Sequence, residues 1–257
     1  NLLYIKDNGA LALEHMEAPE NENEALYQDI CRLLDEERIK ARNQSSALGT
    51  ELMDFYTMWV HQIKTPIAAS RLLLQEEELN PGEIQNELFK IEQYVEMVLG
   101  YLRTQDLSSD LCLEEVNLDE IIKDQIHKFA RIFVGKKLSL DYEGVEETVL
   151  TDKKWLGFVI GQILSNALKY TKKGKISIYM SKARSHTLVI EDTGIGIPAE
   201  DQDRVFERFY RVDKSHSKEI GGTGLGLSIV KHGAIYHKAK VELKSALGEG
   251  TTVRIVF

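Results

Sequence analysis

Two kinds of hydrophobic periodicity divide the chain. From about Glu24 to Glu78 apolar positions recur at helical spacing. They run through Leu26, Ile30, Leu33, Ile39, Leu48 and Leu52 into Tyr56, Trp59, Ile63, Ile67 and Leu74, with the small Ser70 on the same face. A run this long predicts a coiled coil or helical bundle rather than an isolated helix. The polar stretch Arg42 to Gly49 weakens the seam, and a kink or change of register is expected there. Pro66 lacks a backbone donor and is expected to bend the helix, and Asn80-Pro81-Gly82 to end it. A second helical pattern follows, with Ile84, Leu88, Ile91, Val95, Val98 and Leu102 alternating between steps of four and three, a heptad seam. The two together predict an αα-hairpin. One hairpin alone leaves apolar surface uncovered, so the expected assembly is a four-helix bundle made by a homodimer.

After Leu107-Ser-Ser-Asp110 the period changes. Leu111 to Val116 reads as a strand, and Asn117 caps a helix with Glu120 three residues on. Short strands follow at Lys137–Tyr142 and Thr148–Leu150, then an apolar-periodic helix from Trp155 to Lys169. Lys175–Met180 and Thr187–Glu191 read as paired strands around a turn at Ala183 to Ser185. A glycine-punctuated region leads to a helix over about Gly224–Tyr236, and Lys240–Lys244 pairs with Thr251–Phe257 around Leu247-Gly-Glu-Gly250. This predicts a layered α/β domain, helices on one face of a mostly antiparallel sheet. The expected organisation is a linker over 1–23, an all-α helical hairpin over 24–107, a linker over 108–115, and a two-layer α/β sandwich over 116–257.

Composition narrows the classes. The chain has 257 residues, 43% apolar and 28% charged, enough for more than one core. A net charge of −9 argues against a nucleic-acid footprint, which needs a basic face. No run has the apolar length of a membrane span and there is no signal-peptide pattern. The chain begins at Asn1 rather than Met and is read as a piece of a longer protein. Cys31 and Cys112 are too few and too scattered for a disulfide framework, which makes a reducing cytosol the simplest setting. His15, His127, His186, His216, His232 and His237 form no metal-ligand spacing.

The candidate chemistry lies in four places. His61 stands two residues before Ile63, and two helical steps turn it about 200° away, so it should face outward with Thr65 beside it one turn on. Asn166 and Lys169 share a helix face. An amide oxygen and an ammonium there could hold a hydrated Mg²⁺ and a phosphate oxygen. Asp192-Thr-Gly-Ile-Gly-Ile-Pro198 follows a β-branched strand. Its carboxylate can accept from an exocyclic amine, and its glycines let the backbone approach a ring. Gly221-Gly-Thr-Gly-Leu-Gly-Leu-Ser228 opens a helix whose backbone donors suit phosphate, though it lacks the Gly-Lys-Ser/Thr ending of a Walker loop.

In this order the motifs resemble those of sensor histidine kinases, whose catalytic domain belongs to the GHKL (Bergerat-type) ATPase superfamily. Asn166 matches the N box and Asp192 to Gly196 the first glycine box. Phe206-Glu-Arg-Phe-Tyr210 matches the F box and Gly222 to Gly226 the second glycine box. His61-Gln-Ile-Lys-Thr-Pro66 matches the phospho-acceptor H box, so the resemblance spans about Leu48 to Phe257. The variant Met58-Trp-Val-His61-Gln-Ile-Lys-Thr-Pro66 looks most like the intramembrane-sensing kinases that answer bacitracin and other cell-envelope peptides.

The resemblance implies a dimeric membrane sensor of which this is the cytoplasmic portion, autophosphorylating on His61 and passing the group to an aspartate of a response regulator. It also implies a membrane partner, a transporter or receptor, reached through the part preceding this chain. ATP and Mg²⁺ are the implied ligands. Asn166, Lys169, Tyr170, Asp192, Gly194, Gly196, Phe209, Gly222, Thr223, Gly224, Leu225, Gly226 and Leu227 would line the nucleotide, with Asn166 and Gln162 toward the metal. Arg211 to Gly222 reads as a mobile lid, with Arg208, Arg211, Lys214 and Lys218 supplying positive charge. Thr65 resembles the position that orients water for dephosphorylating the regulator. Two positions depart from the family pattern. Gln62 stands where a carboxylate usually follows the histidine; it can accept a hydrogen bond but cannot act as a base. Gln162 stands where a second Asn is common. Two other readings stay open: an ATP-driven clamp like other superfamily members, and a degenerate, non-catalytic signalling dimer.

Overall fold

The computed structural model describes residues 18–105, 112–212 and 223–257. Most of the expected linker over 1–23, and Gly222, Lys214 and Lys218 of the expected lid, lie outside the described residues. Helix α1 spans Glu22–Leu73 and α2 Pro81–Gln105. Then come β1 (Glu114–Asn117), α3 (Leu118–Lys136), β2 (Ser139–Asp141), β3 (Thr148–Thr151) and α4 (Lys153–Tyr170). Strands β4 (Lys175–Met180) and β5 (Thr187–Asp192) lead to α5 (Gly226–Tyr236), β6 (Lys240–Ala246) and β7 (Gly250–Val256). Two 3₁₀ turns, Ala199–Asp201 and Arg204–Phe206, lie between β5 and α5. The fold is thus a helical N-terminal region followed by an α/β sandwich.

Contacts gather into two compact units, divided between Val60 and His61 inside α1. In the first, α1 carries apolar residues that stay exposed, among them Leu26, Leu33 and Met53. The helix is unbroken across Arg42 to Gly49, where an interruption was expected. It also continues through Pro66, which lies in the second unit. A proline there removes only the bond to the carbonyl four residues back, that of Gln62. Helix α1 stops at Leu73, earlier than the pattern suggests. Asn80-Pro81-Gly82 opens α2 instead of closing α1. The Asn80 side chain accepts from the Gly82 N–H at 3.1 Å, and Pro81 takes the first helical position, where its missing donor costs nothing.

The second unit is built on a five-stranded sheet in the order β2-β4-β5-β7-β6. Only β2 and β4 run parallel; β4–β5, β5–β7 and β6–β7 are antiparallel, with Ala246 opposite Gly250 across the final hairpin. Strands β1 and β3 form a separate antiparallel ribbon, Val116 opposite Val149. The Asn117 side chain caps α3 by accepting from the Asp119 N–H at 2.9 Å, and Asp152 caps α4 by accepting from Trp155 N–H at 2.8 Å. Helix α4 is apolar on most of its circumference. Leu156, Ile160, Leu164 and Leu168 vanish into one core with Ile176, Ile178, Leu188 and Ile190 of the sheet. Each such side chain contributes about 1.5–3 kcal/mol by leaving water. A helix buried this completely is a fixed platform for the polar residues near its end.

Helix α2 lies against this core. Phe89 meets Phe129 edge-on at 5.4 Å between ring centres, Glu96 pairs with Lys128, and Gln85 accepts from Arg131. At Gly100 an added Cβ would fall 2.5 Å from the Phe158 ring, so the absence of a side chain permits this approach. Leu88, Val95 and Leu102 of the heptad seam remain exposed.

Candidate functional site

Four segments converge at the carboxyl end of α4. The end of α4 supplies Asn166, Lys169 and Tyr170, all partly buried. Burial, reinforced by the Arg211 guanidinium, lowers the Lys169 ammonium to about 8. Its Nζ lies 5.0 Å over the Tyr170 ring, and the Tyr170 phenol is itself pushed up by burial. A desolvated cation here gains by meeting an anion.

The end of β5 supplies Asp192. Its Oδ1 accepts from the Gly194 N–H at 2.8 Å and from the Thr171 hydroxyl at 3.5 Å. Burial raises the Asp192 carboxyl despite those bonds and one from the Thr251 backbone. The loop after it is fastened on both sides: Ile195 N–H donates to Tyr170 O at 3.3 Å, and Gly248 N–H to Ile195 O at 2.7 Å. Neither glycine of the pair tolerates a side chain. A Cβ on Gly194 would lie 2.7 Å from both Asp192 Oδ1 and Tyr170 O. Gly196 has φ +70°, and its Cβ would lie 1.9 Å from Ala246 O.

The third segment is the start of α5. Leu225 precedes the helix and no side chain caps it, so the first-turn N–H groups are left to another acceptor. Gly224 has φ +71° and accepts from the Phe209 N–H at 3.1 Å; Phe209 itself sits at φ +64°. Thr223 is buried, receiving the Leu225 N–H at 3.3 Å and donating to the Met97 sulfur of α2 at 3.0 Å. Leu225 is buried and Leu227 partly so. Gln162 is also buried, its Oε1 2.7 Å from where a Cβ on Gly226 would be, so it braces α4 against the start of α5.

The fourth segment is the F box. Arg204 stacks over the Tyr210 ring at 4.1 Å, and the Tyr210 hydroxyl bonds Asp201. Arg208 lies over the Tyr101 ring of α2 at 5.7 Å. Arg211 influences Lys169, Tyr170 and Tyr94 electrostatically, which places its charge among all three.

His61 is exposed, as its position in the helical pattern requires, with Thr65 also exposed one turn on. The Thr65 hydroxyl donates to the His61 carbonyl at 3.3 Å. Gln62 is partly buried and its Oε1 accepts from the Tyr94 hydroxyl of α2 at 2.9 Å. Sequence reasoning missed three participants. Thr171 is wholly buried against Asp192, Thr251 reaches it through backbone, and Tyr94 reaches Gln62 from 32 residues away. Only Thr171, directly following Tyr170, had a sequence signal. Of the other described histidines, His232 bonds the Ser228 carbonyl, His186 meets Glu147 at 2.6 Å, and His237 stacks on Trp155 at 3.9 Å.

This geometry coincides with a match over residues 151–257 to the histidine kinase-, DNA gyrase B-, and HSP90-like ATPase family. Sensor histidine kinase YxdK of Bacillus subtilis is 30% identical over 238 residues, 90% of this chain and 72% of that protein. The chain belongs to the sensor histidine kinases. Sensor protein BceS of Halalkalibacterium halodurans is 32% identical over 221 residues, 85% of this chain and 66% of that protein. The chain therefore spans about two thirds of the length of these relatives. Among solved structures, Acinetobacter baumannii histidine kinase AdeS shares the fold, with a TM-score of 0.53 and 22% identity over 76% of this chain and 95% of that one. The residues matched to the ATPase family lie wholly within the α/β domain, which supports ATP use. Among the described residues no helix is long and apolar enough to cross a membrane.

Proposed function

We propose that this chain binds ATP with Mg²⁺, transfers the γ-phosphoryl group to His61 and passes it to an aspartate of a response regulator. Asp192 accepts the adenine amine, Lys169 and the uncapped start of α5 hold phosphate oxygens, and Gly194 and Gly196 let the loop beside them pack against Tyr170 and Ala246. Among the described residues no three His, Cys, Asp or Glu side chains gather to hold a metal. The half-buried amide of Asn166 fits Mg²⁺, which keeps most of its waters and takes its other ligands from phosphate. When bound, the ion neutralises charge on the transferring group; Gln162, packed against Gly226, stands behind that position. Transfer needs alignment more than covalent help from the protein, so an exposed nucleophile suffices once the phosphate faces it.

The observation that carries this reading is an exposed His61 in the same compact unit as the nucleotide segments. Exposed apolar residues along α1 and α2 support a homodimer built on the helical hairpin, with domain limits at 24–107 and 116–257. The relatives' sensor names and the resemblance of the Met58 to Pro66 segment support a membrane sensor of cell-envelope stress or peptide antibiotics, with its sensing and anchoring parts upstream and a transporter or receptor beside them. Thr65 is assigned to the phosphatase direction. Gln62 is the single feature favouring a degenerate, non-catalytic dimer. Incubation with γ-labelled ATP separates the readings: the wild type should take up acid-labile label and His61→Gln none. Equal labelling of both, or ATP hydrolysis without labelling, would overturn the proposal.

A further inference from the structure

The bond between Tyr94 and Gln62 has a chemical meaning that follows from the substitution at Gln62. A carboxylate offers an acceptor at either oxygen, so its rotation about the last bond changes nothing. An amide has one acceptor end and one donor end. The imidazole that attacks through one nitrogen carries its proton on the other, and that N–H is oriented only by an acceptor. Gln62 therefore helps His61 in one of its two amide orientations and opposes it in the other.

Tyr94 distinguishes the two. Its hydroxyl donates to Gln62 Oε1 at 2.9 Å in a partly buried setting. A phenol is a better donor than acceptor, because the ring withdraws the oxygen lone pair, so it favours the amide oxygen over the NH₂ group. Burial first, and Glu87 next, push the Tyr94 phenol up, so it keeps its proton throughout the working range. The amide oxygen has a second lone pair, which remains for a neighbour. His61 precedes Gln62 in the chain, and its ring is exposed.

We propose that Tyr94 is a positioning residue for phosphoryl transfer, holding the Gln62 amide with its oxygen available to the ring N–H of His61. In this role it acts on His61 through Gln62 and takes no part in the bond changes. The inference rests on His61 being the phosphoryl acceptor, as proposed above.

The test is a double-mutant cycle in the whole chain, with folding checked by circular dichroism. Tyr94→Phe should slow autophosphorylation at saturating ATP about fivefold, the worth of one hydrogen bond, with KM for ATP unmoved. In the Gln62→Glu background the same change should alter the rate less than about twofold, because either carboxylate oxygen serves. Equal losses in the two backgrounds would mark Tyr94 as merely structural, and no loss with Gln62 present would remove its role. A second readout needs no turnover: ring-nitrogen NMR of His61 should show the Nδ1–H tautomer in the wild type and its loss in Tyr94→Phe, but not when Gln62→Glu is also present. An unchanged tautomer in Tyr94→Phe would overturn the proposal even if no phosphorylation were seen, whereas absence of labelling in the wild type would overturn the function proposed for His61.

Discussion

Replacing Asp192 by Asn should break nucleotide binding and stabilise the empty protein at the same time. The carboxylate is partly buried, and that burial raises it above its ordinary value although three hydrogen bonds pull the other way. The folded state thus holds that proton more tightly than the unfolded chain does. Stability from this group then falls as pH rises through the raised value, and at neutral pH the ionised Asp192 is a net cost of folding. Asn is neutral, close in size, and keeps an oxygen for the Gly194 N–H at 2.8 Å. It turns an NH₂ group toward the position of the adenine amine, replacing a charge-assisted acceptor by a second donor. Hydrogen bonds to charged groups contribute about 1.5–3 kcal/mol, so the dissociation constant should rise about ten- to a hundredfold. Calorimetric titration with ATP measures the first effect and thermal unfolding without nucleotide the second. Wild-type affinity should also weaken as pH falls through the Asp192 value. Unchanged affinity in Asp192→Asn would refute the adenine assignment. A lowered thermal midpoint would refute the account of a buried charge held at a cost.

Three further outcomes follow. Lys169 titrates near 8 when the site is empty, and phosphate should raise it. ATP binding at pH 8 should take up about half a proton, measured by calorimetry in buffers of different ionisation enthalpy, and Lys169→Met should abolish the uptake. Gly196→Ala places a methyl against the Ala246 carbonyl at a left-handed φ, and should destabilise the domain by at least about 1–2 kcal/mol in urea unfolding. Gly248 also has positive φ but nothing within 4 Å of a Cβ, so Gly248→Ala should cost about 1 kcal/mol, the conformational term alone.

Much of this architecture was readable without coordinates, for identifiable reasons. Strands β4 to β7 announce themselves because β-branched runs are bounded by turns that pair neighbours in sequence. Helix α4 was placed within two residues at its start because its apolar pattern is unbroken; the Asp152 cap adds the first turn. Asn166, Asp192 and the glycine run stood out because tight turns and polar positions on an apolar helix are local signals. What stayed hidden depends on distant partners. Phe89, Met97 and Gly100 dock α2 on the core, yet they lie off its heptad seam and look like filler in the pattern. Asn80-Pro81 reads equally as a stop or a start, and only the Gly82 bond shows which. Pro66 sits inside α1 because a helix this long loses one bond there and keeps the rest. The Tyr94–Gln62 pair joins two helices whose relative rotation no period encodes.

Phosphopeptide mapping of the chain after incubation with γ-labelled ATP and Mg²⁺ tests the central claim most directly. The account predicts one acid-labile, alkali-stable label on the peptide carrying His61, strongly diminished in folded Asp192→Asn protein at ATP near the wild-type dissociation constant. Label on a different residue, or undiminished label on His61 when Asp192 is replaced, would contradict it.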